Sequence, residues 1–159
     1  MDSGLIRIKG MFMTKEVLIT IQGLQFDIDA ETDEELDQIE SIFPGEYYFR
    51  NGAHYLLYDE IMEEEEASIK NMIKLREKEF TLTKKGTINV QMVFAEGRKT
   101  MTSYITPFGN IMIALDTSRI TIEERENKLK IHIDYGLEAN YQYIADCHIT
   151  VTVTERNES

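Results

Sequence analysis

Between Phe80 and Leu115 apolar residues recur at alternate positions. The set is Phe80 and Leu82, then Ile88, Val90, Met92 and Phe94, then Met101 and Ile105, then Ile111, Ile113 and Leu115. Residues two apart share one face of a strand, so the stretch predicts strands. Glycine turns at Lys84-Lys85-Gly86, Glu96-Gly97 and Pro107-Phe108-Gly109 separate the runs. A one-residue slip turns every side chain over, so the demand for a single apolar face sets each loop length. It predicts three-residue loops at the first and third turns and a two-residue loop at Glu96-Gly97. Leu82 is then opposite Ile88, Phe80 opposite Val90, Met92 opposite Met101, Ile105 opposite Ile111 and Ser103 opposite Ile113. One apolar face crosses four antiparallel strands, and Thr81, Thr83, Gln91, Thr100 and Thr102 face solvent.

The same rule extends along the chain. Glu16–Leu24 is a strand with Val17, Ile19 and Ile21 on one side. Asp27–Gln38 is acidic, and its pattern fits a short helix or a loop leading into a strand at 38–43; Pro44-Gly45 marks a bulge or bend. Asn51-Gly52 is a two-residue hairpin signal that sets Tyr48 opposite Tyr55 and Tyr47 opposite Leu56. Glu63–Glu66 reads as a solvated loop, because the spaced ligands and glycine of a calcium loop are missing. A turn at Glu77-Lys78 puts Ile69, Asn71, Ile73 and Leu75 on the core face. Ile120 and Ile122 have the opposite parity to Leu115, which predicts a bulge or bend at 116–119. Leu129 to Leu137 and Tyr143 to Val153 supply the last two alternating strands.

About ten strands joined by short turns make a meander. A long meander leaves open edges unless it closes. The expected fold is therefore all-β, a single up-and-down antiparallel barrel of about 8–10 strands with the apolar face inside. Residues 1–14 are expected to be a flexible leader, with Met13 a candidate true start. Residues 15–155 form the barrel domain, and 156–159 a polar tail.

Composition narrows the partners. The net charge is -12, which disfavours nucleic-acid phosphates and anionic membrane surfaces. Cys147 is the single cysteine, so no intrachain disulfide forms, which fits a cytoplasmic location. No apolar run spans a bilayer.

The segments Gly45-Glu46-Tyr47-Tyr48, Asn51-Gly52, Tyr55-Leu56-Leu57-Tyr58-Asp59-Glu60, Lys85-Gly86, Thr106-Pro107-Phe108-Gly109, Ile133-Asp134-Tyr135 and Ile149-Thr150-Val151-Thr152 together resemble the YwiB-like family of uncharacterised bacterial proteins. The resemblance covers most of the chain from about Lys15. It implies a calycin-like (lipocalin-like) barrel and a strand, not a helix, before Pro44. It brings no catalytic residues.

No phosphate loop, zinc spacing or nucleophile elbow is present, so an enzyme is the weakest of three classes. No cofactor is expected. The leading class is a non-enzymatic binder of a small apolar or amphipathic molecule in the lumen, with Asn71, Met92, Met101 and Ser103 lining it. The alternative is a filled-core interaction module that self-associates through the outward members of Tyr47, Tyr48, Tyr55 and Tyr58. A last hairpin centred on Asn140 sets Ile133 opposite Cys147, His132 opposite His148 and Asp134 opposite Asp146. That makes His132 and His148 weak metal candidates, against the more ordinary pairing of histidines with aspartates.

Overall fold

The computed structural model describes residues 15–23, 40–62, 67–86, 89–106 and 109–156. The expectations for the leader, the 27–38 segment, the Glu63–Glu66 run and the 157–159 end of the tail lie outside the described residues. Ten strands follow in chain order. They are β1 (Lys15–Gln22), β2 (Glu40–Arg50), β3 (Ala53–Met62), β4 (Ala67–Arg76) and β5 (Glu79–Lys85). The second five are β6 (Val90–Ala95), β7 (Arg98–Thr106), β8 (Gly109–Arg125), β9 (Lys128–Ala139) and β10 (Gln142–Glu155). All pairings are antiparallel, in the order β6-β5-β4-β3-β2-β1-β10-β9-β8-β7, and the sheet forms a nearly closed barrel. Among the described residues no helix is long and apolar enough to cross a membrane.

The alternation decides the inside. Val17, Ile19, Ile73, Leu82, Phe94, Ile131, Ile149 and Val153 are buried from six different strands. Four two-residue turns make one end of the barrel, at Asn51-Gly52, Glu77-Lys78, Glu96-Gly97 and Glu126-Asn127. Each contains a residue with positive φ, and the Asn51-Gly52 hairpin has the expected register, Tyr48 with Tyr55 and Tyr47 with Leu56. The connections after β1, β3, β5, β7 and β9 leave from the opposite end, called the open end only because the β2–β3 ladder stops short of it.

Closure does not fall where the chain pattern puts it. β1 pairs with β10, from Val17–Glu155 to Gln22–Thr150. The two unpaired edges are β6 and β7, which are consecutive in the chain. The turn between them is held elsewhere: the Glu96 N–H donates to Lys78 O at 3.0 Å and the Gly97 N–H to Thr117 O at 2.8 Å. The Thr100 hydroxyl donates across the seam to the Val93 carbonyl.

At Ser118 the β8–β9 register shifts, which is the bulge expected between Asp116 and Arg119. Beyond it β8 reaches the turns at the closed end. Lys78 Nζ donates to Ile120 O at 2.6 Å, and the Ile120 N–H donates to Glu96 Oε2 at 2.8 Å.

Four registers differ from expectation. Lys84 pairs with Val90 and Leu82 with Met92, so the β5–β6 connection is longer than three residues, yet the faces survive because the displacement is even. Thr106 pairs with Gly109, leaving two residues in the connection, so Tyr104 rather than Ile105 meets Ile111. That one-residue slip turns Met101, Ser103 and Ile105 to the outer face. In the last hairpin the turn is Asn140-Tyr141 and Ile144 is an extra residue, so Tyr143 points outward and Ile133 faces Ile149. Pro44-Gly45 is neither bulge nor bend against β1, since Leu18–Pro44 and Val17–Gly45 are in continuous register.

The β2–β3 ladder runs from Arg50–Ala53 to Gly45–Tyr58 and stops at Pro44, which has no N–H to donate. Above that point β2 pairs only with β1 and β3 only with β4, so the wall parts toward the open end. Gly45 sits at the fork: a Cβ there would lie 2.5 Å from Leu57 O and 2.6 Å from Ile19 Cδ1. Gly45→Ala should therefore destabilise the barrel by about 1–3 kcal/mol through overpacking. Urea unfolding measures this, and an unchanged midpoint would show that β2 is free to move away from β3.

Candidate functional site

Period two carries each strand's inward positions past its apolar residues into polar ones near the open end. On β4 the sequence Ile69, Asn71, Ile73, Leu75 points inward, so Asn71 is buried at 3 % exposure. One rung crosses four strands there: Tyr58 pairs with Asn71, Asn71 with Lys84, and Lys84 with Val90. Glu60, two residues beyond Tyr58, reaches the same place.

Asn71 Nδ2 donates to Glu60 Oε1 at 3.0 Å and to Ile69 O at 3.3 Å. Lys84 Nζ is 2.5 Å from the same carboxylate oxygen. Two acceptors on the nitrogen side fix which way the amide faces. Its oxygen, Oδ1, is buried and, like Thr117 Oγ1, has no hydrogen-bond partner among the described residues. Such an acceptor costs about 1–3 kcal/mol of lost hydration.

Tyr58 completes the rung. Its ring stacks on Phe43 with centroids 4.6 Å apart. Burial pushes its phenol well above the ordinary value, and the Glu60 carboxylate adds to the effect. The next rung toward the closed end is Leu56, Ile73, Leu82 and Met92, all buried. Below it aromatic rings fill the interior: Phe94 meets Phe80 at 5.8 Å and Tyr135 of β9 at 4.9 Å.

Of the four residues expected in the lumen, the structure places two there. Asn71 and Met92 lie inside on neighbouring rungs. Met101 is 49 % exposed on the outer face, and Ser103 is exposed beside it, because the short β7–β8 connection slips the register by one. Sequence reasoning missed Glu60 and Lys84. Charged residues at the end of an alternating run resemble a solvent-facing strand end. The signal that finds them is the unbroken period, Leu56-Tyr58-Glu60 and Phe80-Leu82-Lys84.

The outer histidines do not meet as expected. His132 pairs with Thr150 and His148 with Asp134, a displacement of two residues set by the Asn140-Tyr141 turn and the extra Ile144. His148 Nδ1 lies 2.6 Å from Asp134 Oδ1. His132 Nε2 lies 3.2 Å from Glu123 Oε2, and this hydrogen bond holds the Glu123 carboxyl below its ordinary value. Among the described residues no three His, Cys, Asp or Glu side chains gather as a metal-holding group. Tyr48 and Tyr55 face outward, stacked at 4.6 Å, with Lys74 Nζ 5.8 Å from the Tyr55 ring.

A third histidine is structural. The Tyr47 hydroxyl lies 2.8 Å from His54 Nδ1, and His54 Nε2 lies 3.3 Å from Glu124 Oε1. The chain of contacts ties β2 and β3 to the part of β8 beyond its bulge.

Comparison with known proteins gives a consistent lineage. A family model described as "Domain of unknown function (DUF1934)" matches residues 19–151. The chain is 28% identical over 107 residues to the "Uncharacterized beta-barrel protein YwiB" of Bacillus subtilis (strain 168), covering 67% of this chain and 74% of that protein. The crystal structure of the ywiB protein from Bacillus subtilis is similar with a TM-score of 0.70 at 22% identity, over 91% of this chain and 94% of that one. At that identity the structural likeness speaks for the fold alone.

The Tyr58 environment has a measurable consequence. In the unfolded chain its phenol ionises near the ordinary value of 10.0, while the folded protein holds the proton to higher pH. The stabilisation is complete below that pH and is lost as pH rises above it, because only the unfolded state releases the proton. Urea unfolding at about pH 9 and about pH 11 should show a smaller alkaline loss in Tyr58→Phe than in the unaltered protein. Equal losses would place the Tyr58 hydroxyl in water.

Proposed function

The chain belongs to the DUF1934 family of domains of unknown function, and on that premise we propose that its barrel binds a small amphipathic molecule at the open end. The ligand's polar end engages the rung of Tyr58, Asn71 and Lys84 together with Glu60. One observation carries this reading: Asn71 Oδ1 is buried in the interior without a partner. Buried polar atoms are almost always satisfied, and a donor supplied by a ligand satisfies this one. The parting of β2 from β3 above Gly45 gives the wall beside Tyr58 freedom to admit a guest.

The alternative is a barrel filled by its own side chains. The contacts among Phe80, Phe94 and Tyr135 favour it for the closed half. The two readings therefore divide the interior: aromatic rings fill the lower part, and the polar rung marks the upper part for binding. The rung offers hydrogen-bonding groups around a buried acceptor, which supports a binding role. The buried Cys147, in no disulfide, accords with a reducing, cytoplasmic setting.

Native mass spectrometry of protein made in its own host tests the proposal. The expected result is a stoichiometric added mass that is lost in Asn71→Leu. A bare mass from the unaltered protein counts against binding. Asn71→Leu should also change unfolding stability by no more than about 1 kcal/mol, since the lost bonds to Glu60 and Ile69 are offset by removing an unsatisfied oxygen.

A further inference from the structure

We propose that the polar end of the ligand is an uncharged hydrogen-bond donor, an alcohol or a primary amide, seated on Asn71 Oδ1. This rests on reading the barrel as a binder and names the class of molecule it takes. The amide orientation is settled by its own bonds, because both acceptors, Glu60 Oε1 and Ile69 O, lie on the nitrogen side. What faces the ligand is therefore a carbonyl oxygen, which accepts and cannot donate. A carboxylate set against it has no proton to share.

Charge makes the same selection. Glu60 and Lys84 neutralise each other at 2.5 Å, with side chains only 22% and 17% exposed. A carboxylate head would leave two negative charges facing one lysine in a poorly hydrated place. An ammonium head would leave two positive charges facing one glutamate. Uncompensated charge in such surroundings is costly, whereas a neutral head leaves the pair balanced. Tyr58, kept in its neutral form by burial and by Glu60, adds a phenol to the same rung. An alcohol or primary amide can also accept a hydrogen bond as it donates one, which suits a rung carrying Asn71, Tyr58 and Lys84 together.

The test uses four probes of equal chain length on the intact protein: 1-octanol, octanamide, octanoate and octylamine, each titrated by calorimetry near neutral pH. Octanol and octanamide should bind at least about ten-fold more tightly than octanoate, which leaves Asn71 Oδ1 unpaired, and than octylamine, which pairs it but brings an uncompensated charge. Asn71→Leu should erase that preference while leaving weak binding of the alkyl chain. Octanoate or octylamine binding as tightly as octanol would overturn the head-group class and leave the binding role standing. So would failure of all four probes with a protein that carries a native guest by mass spectrometry. Failure of all four with a bare native mass would overturn both. Preference measured on the unaltered protein decides the matter even where Asn71→Leu does not fold.

Discussion

The pairing of β1 with β10 is the contact on which the rest of the barrel depends. It joins residues near the two ends of the described chain, Val17 with Glu155 through Gln22 with Thr150. Without it the sheet divides into β1–β6 and β7–β10, and β1, which carries Val17, Ile19 and Ile21, and β10 become two further edges. Closing a loop of this length is entropically expensive, and it is offset by a ladder from Val17 to Gln22 and an apolar face buried on both strands. Lys15, two residues beyond the last rung, reaches Glu155 at 2.9 Å.

Joining the ends moves the discontinuity to the middle of the chain. A nearly closed sheet must leave its edges somewhere, and here they are β6 and β7. Natural edges need protection from pairing with other chains. Protection at the closed end comes from the bulge at Ser118, which carries β8 to the neighbouring turns. Lys78 and Glu96 each bind the backbone of Ile120, one at the carbonyl and one at the N–H. Glu124 further along reaches His54. The closed end is thus held by polar contacts around buried aromatic rings, and the open end is left to a polar rung whose amide oxygen is unsatisfied.

That contrast links fold to function. Deep in the barrel, alternation supplies only apolar groups, and they fill the space with their own contacts. Toward the open end the same alternation turns Tyr58, Glu60, Asn71 and Lys84 inward. Three of these satisfy one another in part, and Asn71 Oδ1 is left without a partner among the described residues.

Strand type and the inner face of seven strands were legible in the sequence, because side-chain direction along a strand depends only on counting by two; for the tyrosine hairpin β2–β3 large side chains on both faces left the inner face open. Ile69 to Leu75 and Leu129 to Leu137 were placed inside on that count alone, and the break of phase after Leu115 located the bulge. Register was not legible. A pairing can slide by two residues without moving any side chain to the wrong face, so local pattern leaves it open. That freedom put Ile133 opposite Ile149, not Cys147, and parted His132 from His148. A single-residue difference in one connection turned β7 over and sent Met101 and Ser103 outside. The site was only half visible for the same reason: Asn71 announces itself as a polar residue on an apolar face, but which residues share its rung is a matter of register across β3, β4 and β5. Tertiary closure decided that, since the rung exists only once turns, bulges and the β1–β10 joint have chosen one alignment among several that the alternation allows equally.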